Sequence, residues 1–254
     1  MSVLITGDVH GTHDIRKLGS NNFNKGNNLN LTKDDYLIIC GDFGLVWNER
    51  YKDECEQWLD WLEAKPWTTL FVDGNHEGFE LLNAYPVEEW NGGKVHRIRD
   101  GIIHLMRGQV FEIDGEKYFT MGGAYSHDKE WRTEGINWWA EEVPSQGERD
   151  EAIANLTAHN WKVDYVITHE APTDVADRLI TMMRDYSRDV DEYIMWLNEI
   201  AYRLDFKSWY HGHHHVDWMW EDGKYWSMYD YIMYVGDMEG KNLGSPWRRL
   251  SDFW

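Results

Sequence analysis

Four short apolar runs recur along this chain, and each stops at a small polar turn. "SVLIT" (2–6) gives way to Gly7-Asp8-Val9-His10-Gly11, and "YLIIC" (36–40) to Gly41-Asp42. "TTLFV" (68–72) leads into Asp73-Gly74-Asn75-His76, and "DYVIT" (164–168) into His169. Five residues are too few for a buried helix, and an unbroken apolar run suits a strand covered on both faces. Between the runs the apolar spacing becomes helical. In residues 52–65, Cys55, Trp58, Leu59 and Leu62 share one stripe, and residues 148–161 and 189–204 are patterned alike. Strand, helix and strand in alternation predict an α/β sandwich.

Residues 95–123 change to closely spaced strands, "IIHLM", "QVFEI" and "KYFTMGG", with "DGE" as the turn between the last two. The tail reads as further strands, "WYHG", "VDWMWE" and "KYWSMYDYIMYV", with a hairpin turn at Asp222-Gly223. The Asn- and Gly-rich residues 19–30 read as a surface loop. No composition shift marks a boundary, so residues 1–254 are expected to form a single domain.

Composition narrows the partners. The net charge is −20, from 25 basic and 45 acidic residues. Such a surface repels phosphate backbones, which are bound by Lys and Arg displacing counterions, so no long nucleic acid is expected. No apolar run exceeds five residues, so no membrane partner is expected either. The start lacks the basic head and long apolar middle of a secretion signal. With only two cysteines, Cys40 and Cys55, a disulfide framework is not expected, and the cytoplasm is the expected compartment.

The polar turns carry the chemistry. A fifth strand-like segment ends in "HGHHH" (211–215), so the strand ends together offer Asp8, His10, Asp42, Asn75, His76, His169, His213 and His215. Ligands of open α/β sheets bind beyond the carboxyl ends of strands, where adjacent loops converge. Carboxylate, imidazole and amide donors in this number exceed what one ion uses, and such a mixture suits manganese, iron or zinc. His211 and His214 are read as structural, since alternation would turn His214 away from its neighbours.

In this order, D-x-H, G-D, G-N-H-E, a single H and G-H-x-H, the blocks resemble the calcineurin-like metallophosphoesterases, specifically their small bacterial or phage-type members. The resemblance spans residues 8–215 and implies a four-layer α/β/β/α sandwich of two mixed sheets flanked by helices. A two-metal site would lie at the loops after the strand C-termini. By resemblance, Asp8, His10 and His215 hold one ion, Asn75, His169 and His213 the other, and Asp42 bridges them. The cofactors implied are two divalent ions, manganese first, with iron or zinc as alternatives. His76 would ligate neither ion and would serve as general acid toward the leaving group, while a metal-bridging hydroxide attacks phosphorus. The activity implied is hydrolysis of phosphate monoesters or diesters of small molecules or nucleotides.

"GDVHG" and "GNHE" look most like the branch that holds Ser/Thr protein phosphatases and symmetrical dinucleoside tetraphosphatases, which remain the alternative. That branch reads G-D-x-V-D-R-G at its second block. Here "GDFGLVWNER" (41–50) lacks that arginine, and Arg50 lies too far on to replace it. A nuclease and an inactive metal-binding scaffold are weaker alternatives. Residues 122–142 form a loop after a strand, and Tyr125, His127, Lys129 and Arg132 within it are candidates to grip substrate.

Overall fold

A computed structural model describes residues 1–19, 29–184, 191–220, 223–238 and 243. The four apolar runs all form strands: β1 (Val3–Thr6), β2 (Tyr36–Cys40), β3 (Thr68–Val72) and, later in the chain, a strand at Tyr165–Thr168. Helix α1 (Lys52–Glu63) joins β2 to β3, and a single helical turn, α2 (Phe79–Leu82), follows β3. Next come β4 (Val87–Trp90), β5 (Gly93–Arg99), β6 (Ile102–Leu105), β7 (Gln109–Ile113) and β8 (Glu116–Met121). After α3 (Gln146–Ala158) comes the Tyr165–Thr168 strand, β9, and then α4 (Thr173–Met183) and α5 (Glu192–Arg203). The chain closes with β10 (Ser208–His211), β11 (Trp218–Trp220), β12 (Tyr225–Ser227) and β13 (Met233–Tyr234).

These strands build two mixed sheets. One runs β13-β1-β2-β3-β6-β5-β4, parallel from β1 to β6 and antiparallel at both ends. The other runs β11-β12-β10-β9-β8-β7, parallel from β12 to β8. Alternate residues of a strand serve opposite layers. In β2, Leu37 and Ile39 pack with Leu59 and Leu62 of α1, while Ile38 and Cys40 face the second sheet. In β9, Ile167 joins that central layer, while Val166 packs with Leu156 of α3 and Leu197 of α5. The result is the four-layer α/β/β/α arrangement. Each fully buried Leu or Ile contributes about 1.5–3 kcal/mol, so neither strand face is expendable.

Local chemistry accounts for several ends. Asp114 and Gly115 both take positive φ (55° and 78°), the two-residue hairpin turn expected of "DGE". Ser145 and Glu148 cap α3 reciprocally, and Asp191 accepts from the N–H groups of Tyr193 and Ile194 at the start of α5. Of the loop expected at 19–30, residues 20–28 lie outside the described residues, as does Asp222 of the expected hairpin, although β11 and β12 do pair antiparallel.

The tail departs from expectation. "KYWSMYDYIMYV" is not one strand: β12 belongs to one sheet and β13 to the other. Between them the Asp217 carboxylate accepts the backbone N–H groups of Tyr229, Asp230 and Tyr231 at 2.8–3.1 Å, which ties the crossing segment to a side chain. Helix α4 and strand β4 have no counterpart in the sequence reading. Among the described residues, no helix is long and apolar enough to cross a membrane.

Candidate metal centre

Five parallel strands, β1, β2, β3, β9 and β10, end on the same edge of the sandwich, and the polar turns meet there. The turns are tied together by backbone bonds. Val9 and His10 donate to the Asp42 carbonyl (3.1 and 2.8 Å), and Gly212 donates to that of His169 (3.0 Å). All seven expected ligands converge. Donor atoms of Asp8, His10, Asp42 and His215 lie within 4.8 Å of one another. Beside them, His169 Nε2 sits 3.1 Å from Asn75 Oδ1 and 3.2 Å from Asp42 Oδ1. Asp42 thus faces both groups, its Oδ2 being 3.2 Å from His10 Nε2. The His213 ring is centred 5.0 Å from that of His169, and its backbone N–H donates to Asp8 Oδ1 at 3.1 Å.

The backbone is strained at this point. His10, Asp42, His213 and His215 hold φ of 43°, 46°, 65° and 50°, a region non-glycine residues enter at a cost of about 1–3 kcal/mol each. Four such residues in one cluster direct their side chains to a common point at the expense of stability. His214 turns away, as expected, but its extended-strand explanation does not hold. The left-handed residues on either side rotate it toward Glu170, 3.0 Å from its Nε2.

Glycines make room. Gly74 has no positive φ, so it is not required for the turn. A Cβ there would stand 2.0 Å from Asp42 Oδ1. At Gly212 a Cβ would stand 2.1 Å from Asp8 Oδ1.

The electrostatics describe a pocket short of positive charge. Burial works against ionising Asp8 and Asp42, yet His169 and the other imidazoles hold both carboxyls below their ordinary range. Burial likewise disfavours imidazolium at His169 and His10, but Asp42 and Asp8 pull these up to about 10 and about 9. Divalent cations would answer the same demand and release those protons, so the donor set fits metal binding.

The groups that orient the donors were not visible in the sequence. His169 Nδ1 donates to the Cys40 carbonyl at 2.8 Å, leaving Nε2 to face Asp42. His10 Nδ1 is 2.8 Å from Asp14, which aims Nε2 inward. Glu170 Oε2 lies 3.3 Å from His213 Nε2, so this buried carboxylate faces both His213 and His214. Asn75 Nδ2 donates to Ser126 Oγ (3.0 Å), and Ser126 donates to Glu142 (2.7 Å), which points the amide oxygen at His169. Glu77, the last residue of "GNHE", is buried and accepts the N–H groups of Phe43 and Gly44 at 2.7 and 3.0 Å, binding the two turns together.

The 122–142 loop reaches the cluster in part. Arg132 Nη1 approaches His76 Nδ1 at 3.3 Å, but Asp128 already engages one edge of its guanidinium through Nε and Nη2 (2.7 and 2.9 Å). The His127 ring is 6.2 Å from that of His213. Tyr125 stands 6.2 Å from His127, and Lys129 turns onto the Tyr125 ring at 4.2 Å. Arg50 is exposed and lies over the Tyr51 ring at 5.7 Å. Burial lowers the pKa of His76 and Arg132 lowers it further, against a raising effect from Asp42.

Comparison with known proteins places these observations. A family model described as calcineurin-like phosphoesterase matches residues 1–217, a span that contains all five turns. No curated protein matches. Among solved structures, a phosphopantetheinyl hydrolase from Mycobacterium tuberculosis is 18% identical, with 93% of this chain and 96% of that chain covered and a TM-score of 0.46.

Proposed function

This chain belongs to the calcineurin-like phosphoesterase family, and from that premise we propose that it hydrolyses phosphate esters of small molecules or nucleotides with two divalent ions, manganese foremost. The family makes it a hydrolase of phosphoester bonds; the number and identity of the ions, the substrate and the residue roles are our reading. Asp8, His10 and His215 would hold one ion and Asn75, His169 and His213 the other, and Asp42 would serve both. When bound, such a pair supplies Lewis acidity to phosphate oxygens and acidifies water at neutral pH.

The protein's own groups do the rest. His10 and His169 are held in orientations that face the cluster, so little reorganisation precedes ligation. His76 stands at the edge, its backbone N–H bound to Asp42 Oδ1 at 2.8 Å and its ring 5.7 Å from that of His10. There it hands a proton to the departing oxygen. Burial lowers the pKa of its imidazole in the free protein, and the negative charge of an arriving phosphate favours the protonated form. Arg132 steadies that phosphate with the edge Asp128 leaves open, and His127 faces the same space. Residues 1–254 act as one domain in this reading.

The observation that carries the proposal is the convergence of seven donors from five strand ends, four of them on left-handed backbone. Purified protein should contain divalent metal and, with Mn²⁺, cleave p-nitrophenyl phosphate or bis-p-nitrophenyl phosphate in an EDTA-sensitive reaction. Single-stranded DNA should survive. Metal-replete protein that cleaves neither ester would overturn the reading.

A further inference from the structure

A cleft of about 830 Å³ opens beside the cluster, with His10, His76 and His215 on one side. The rings of Trp47 and Tyr51 and the carboxylates of Asp14 and Glu54 line it too, Asp14 standing against His10. Among the described residues, no lysine or arginine lines it. Trp47 and Tyr51 also border a second cavity of about 630 Å³, so these rings stand between two open volumes. Neither joins the four buried apolar clusters, and Tyr51 is 46% exposed.

Large rings left uncovered cost hydrophobic stabilisation, yet Trp47 is held firmly in place. Gly78 donates to the Val46 carbonyl (2.9 Å) and is packed so tightly on Trp47 that a Cβ there would meet its carbonyl oxygen at 1.8 Å. Glu77 clamps Phe43 and Gly44 just upstream. The Trp139 ring meets Trp47 edge-on at 5.2 Å, and Trp47 lies 6.2 Å from the His76 ring. The result is a braced Trp47 ring next to His76, with the more exposed Tyr51 ring on the same cleft.

We propose that Trp47 and Tyr51 form the leaving-group subsite, and that it takes a flat, uncharged aromatic group of nucleoside size. This rests on the phosphoesterase reading and names the substrate class for the same centre. A base stacks on an aromatic face whatever its sequence identity, and Asp14 and Glu54 accept hydrogen bonds from ring N–H or sugar hydroxyls. The same two carboxylates repel further phosphates, so a nucleoside monophosphate is accepted ahead of a di- or triphosphate.

The test compares adenosine 5′-monophosphate, ATP and glycerol 3-phosphate as substrates of the Mn²⁺-loaded protein, alongside calorimetric titration with adenosine alone. Adenosine should bind, and the monophosphate should exceed both other substrates in kcat/KM. Trp47→Ala should shrink the ratio of monophosphate to glycerol phosphate by roughly 5- to 150-fold, the change expected from losing one stacked ring. Trp47→Phe should restore most of it, with metal content unchanged in both. Equal rates for the three substrates, a preference for ATP, or adenosine binding that survives Trp47→Ala and Tyr51→Ala would overturn the subsite. Adenosine binding without hydrolysis of any ester would instead overturn the catalytic reading and leave the subsite standing.

Discussion

Gly74→Ala is the most searching single change, because it adds one methyl group and removes no proposed ligand. The new Cβ would lie 2.0 Å from Asp42 Oδ1 and 2.3 Å from the Asp42 nitrogen, where real Cβ contacts essentially never fall below 3.0 Å. Relief requires the Asp42 carboxylate or the turn to retreat by about 1 Å, against a tolerance of about 0.2 Å for metal–ligand distances. The same oxygen accepts the His76 N–H at 2.8 Å and lies 3.2 Å from His169 Nε2, so both neighbours lose register with it. Overpacking of this kind costs about 1–3 kcal/mol, which for a chain of this length lowers Tm by about 2–10 °C. The folded variant should therefore retain less than one equivalent of metal and lose at least about 100-fold in kcat/KM. Elemental analysis, thermal denaturation and p-nitrophenyl phosphate kinetics read the three effects. Gly147→Ala is the control, since its Cβ meets nothing nearer than 3.9 Å, and it should be neutral or stabilising by about 0.5–1 kcal/mol. A Gly74→Ala protein with two equivalents of metal and wild-type kinetics would refute the geometric argument.

His76→Asn should cost about 10²–10⁴ in kcat on an alkyl phosphate and much less on p-nitrophenyl phosphate, whose leaving group needs little help, with metal content unchanged. Because burial and Arg132 lower the His76 pKa from its ordinary 6.5, kcat/KM on the alkyl ester should decline as pH rises through that lowered value; a pH profile without this limb would argue against the acid role. Ser126→Ala frees Asn75 to rotate and should weaken the affinity for one metal by about 10- to 100-fold, measured by competition with a chelating dye. Away from the centre, burial and His104 push His96 down to about 4. The unfolded chain then binds more protons between pH 6.5 and 4, so stability present above 6.5 is lost as pH falls through that window, by up to about 3 kcal/mol. Urea denaturation of metal-stripped protein should show that slope, and His96→Gln should flatten it.

The meeting of the proposed ligands was legible because each sits within four residues of a strand's end, and the strands announce themselves by being apolar on both faces. Position along the chain was enough to foresee their meeting, since parallel strands deliver their ends to one edge. What orients the ligands follows no such rule. Ser126 lies 51 residues from the Asn75 it holds, and the partner of His169 is a backbone carbonyl, which any residue supplies. Helix α4 was hidden for a related reason. Its buried stripe is only Val175, Ala176 and Leu179, and their partners, Trp218 and Trp220, arrive some 40 residues later on β11. In the tail, hydrophobicity alone could not reveal the change of sheet, because the signal is a single carboxylate, Asp217, that accepts three backbone N–H groups.

Arg132 marks the boundary between the two kinds of information. Its place near the centre followed from the loop's position after β8, but its availability did not. Asp128, four residues earlier, occupies the Nε and Nη2 edge of the guanidinium, and burial does not prevent that pairing from holding the Asp128 carboxyl low. A phosphate must therefore share Arg132 rather than capture it whole. Asp128→Asn separates the two effects: it frees the fork without moving a ligand of the cluster. If the pairing competes with substrate, KM should fall while kcat and metal content stay near wild type. If Asp128 instead holds Arg132 in its working position, KM should rise. A KM that does not move at all would remove Arg132 from the phosphate's surroundings.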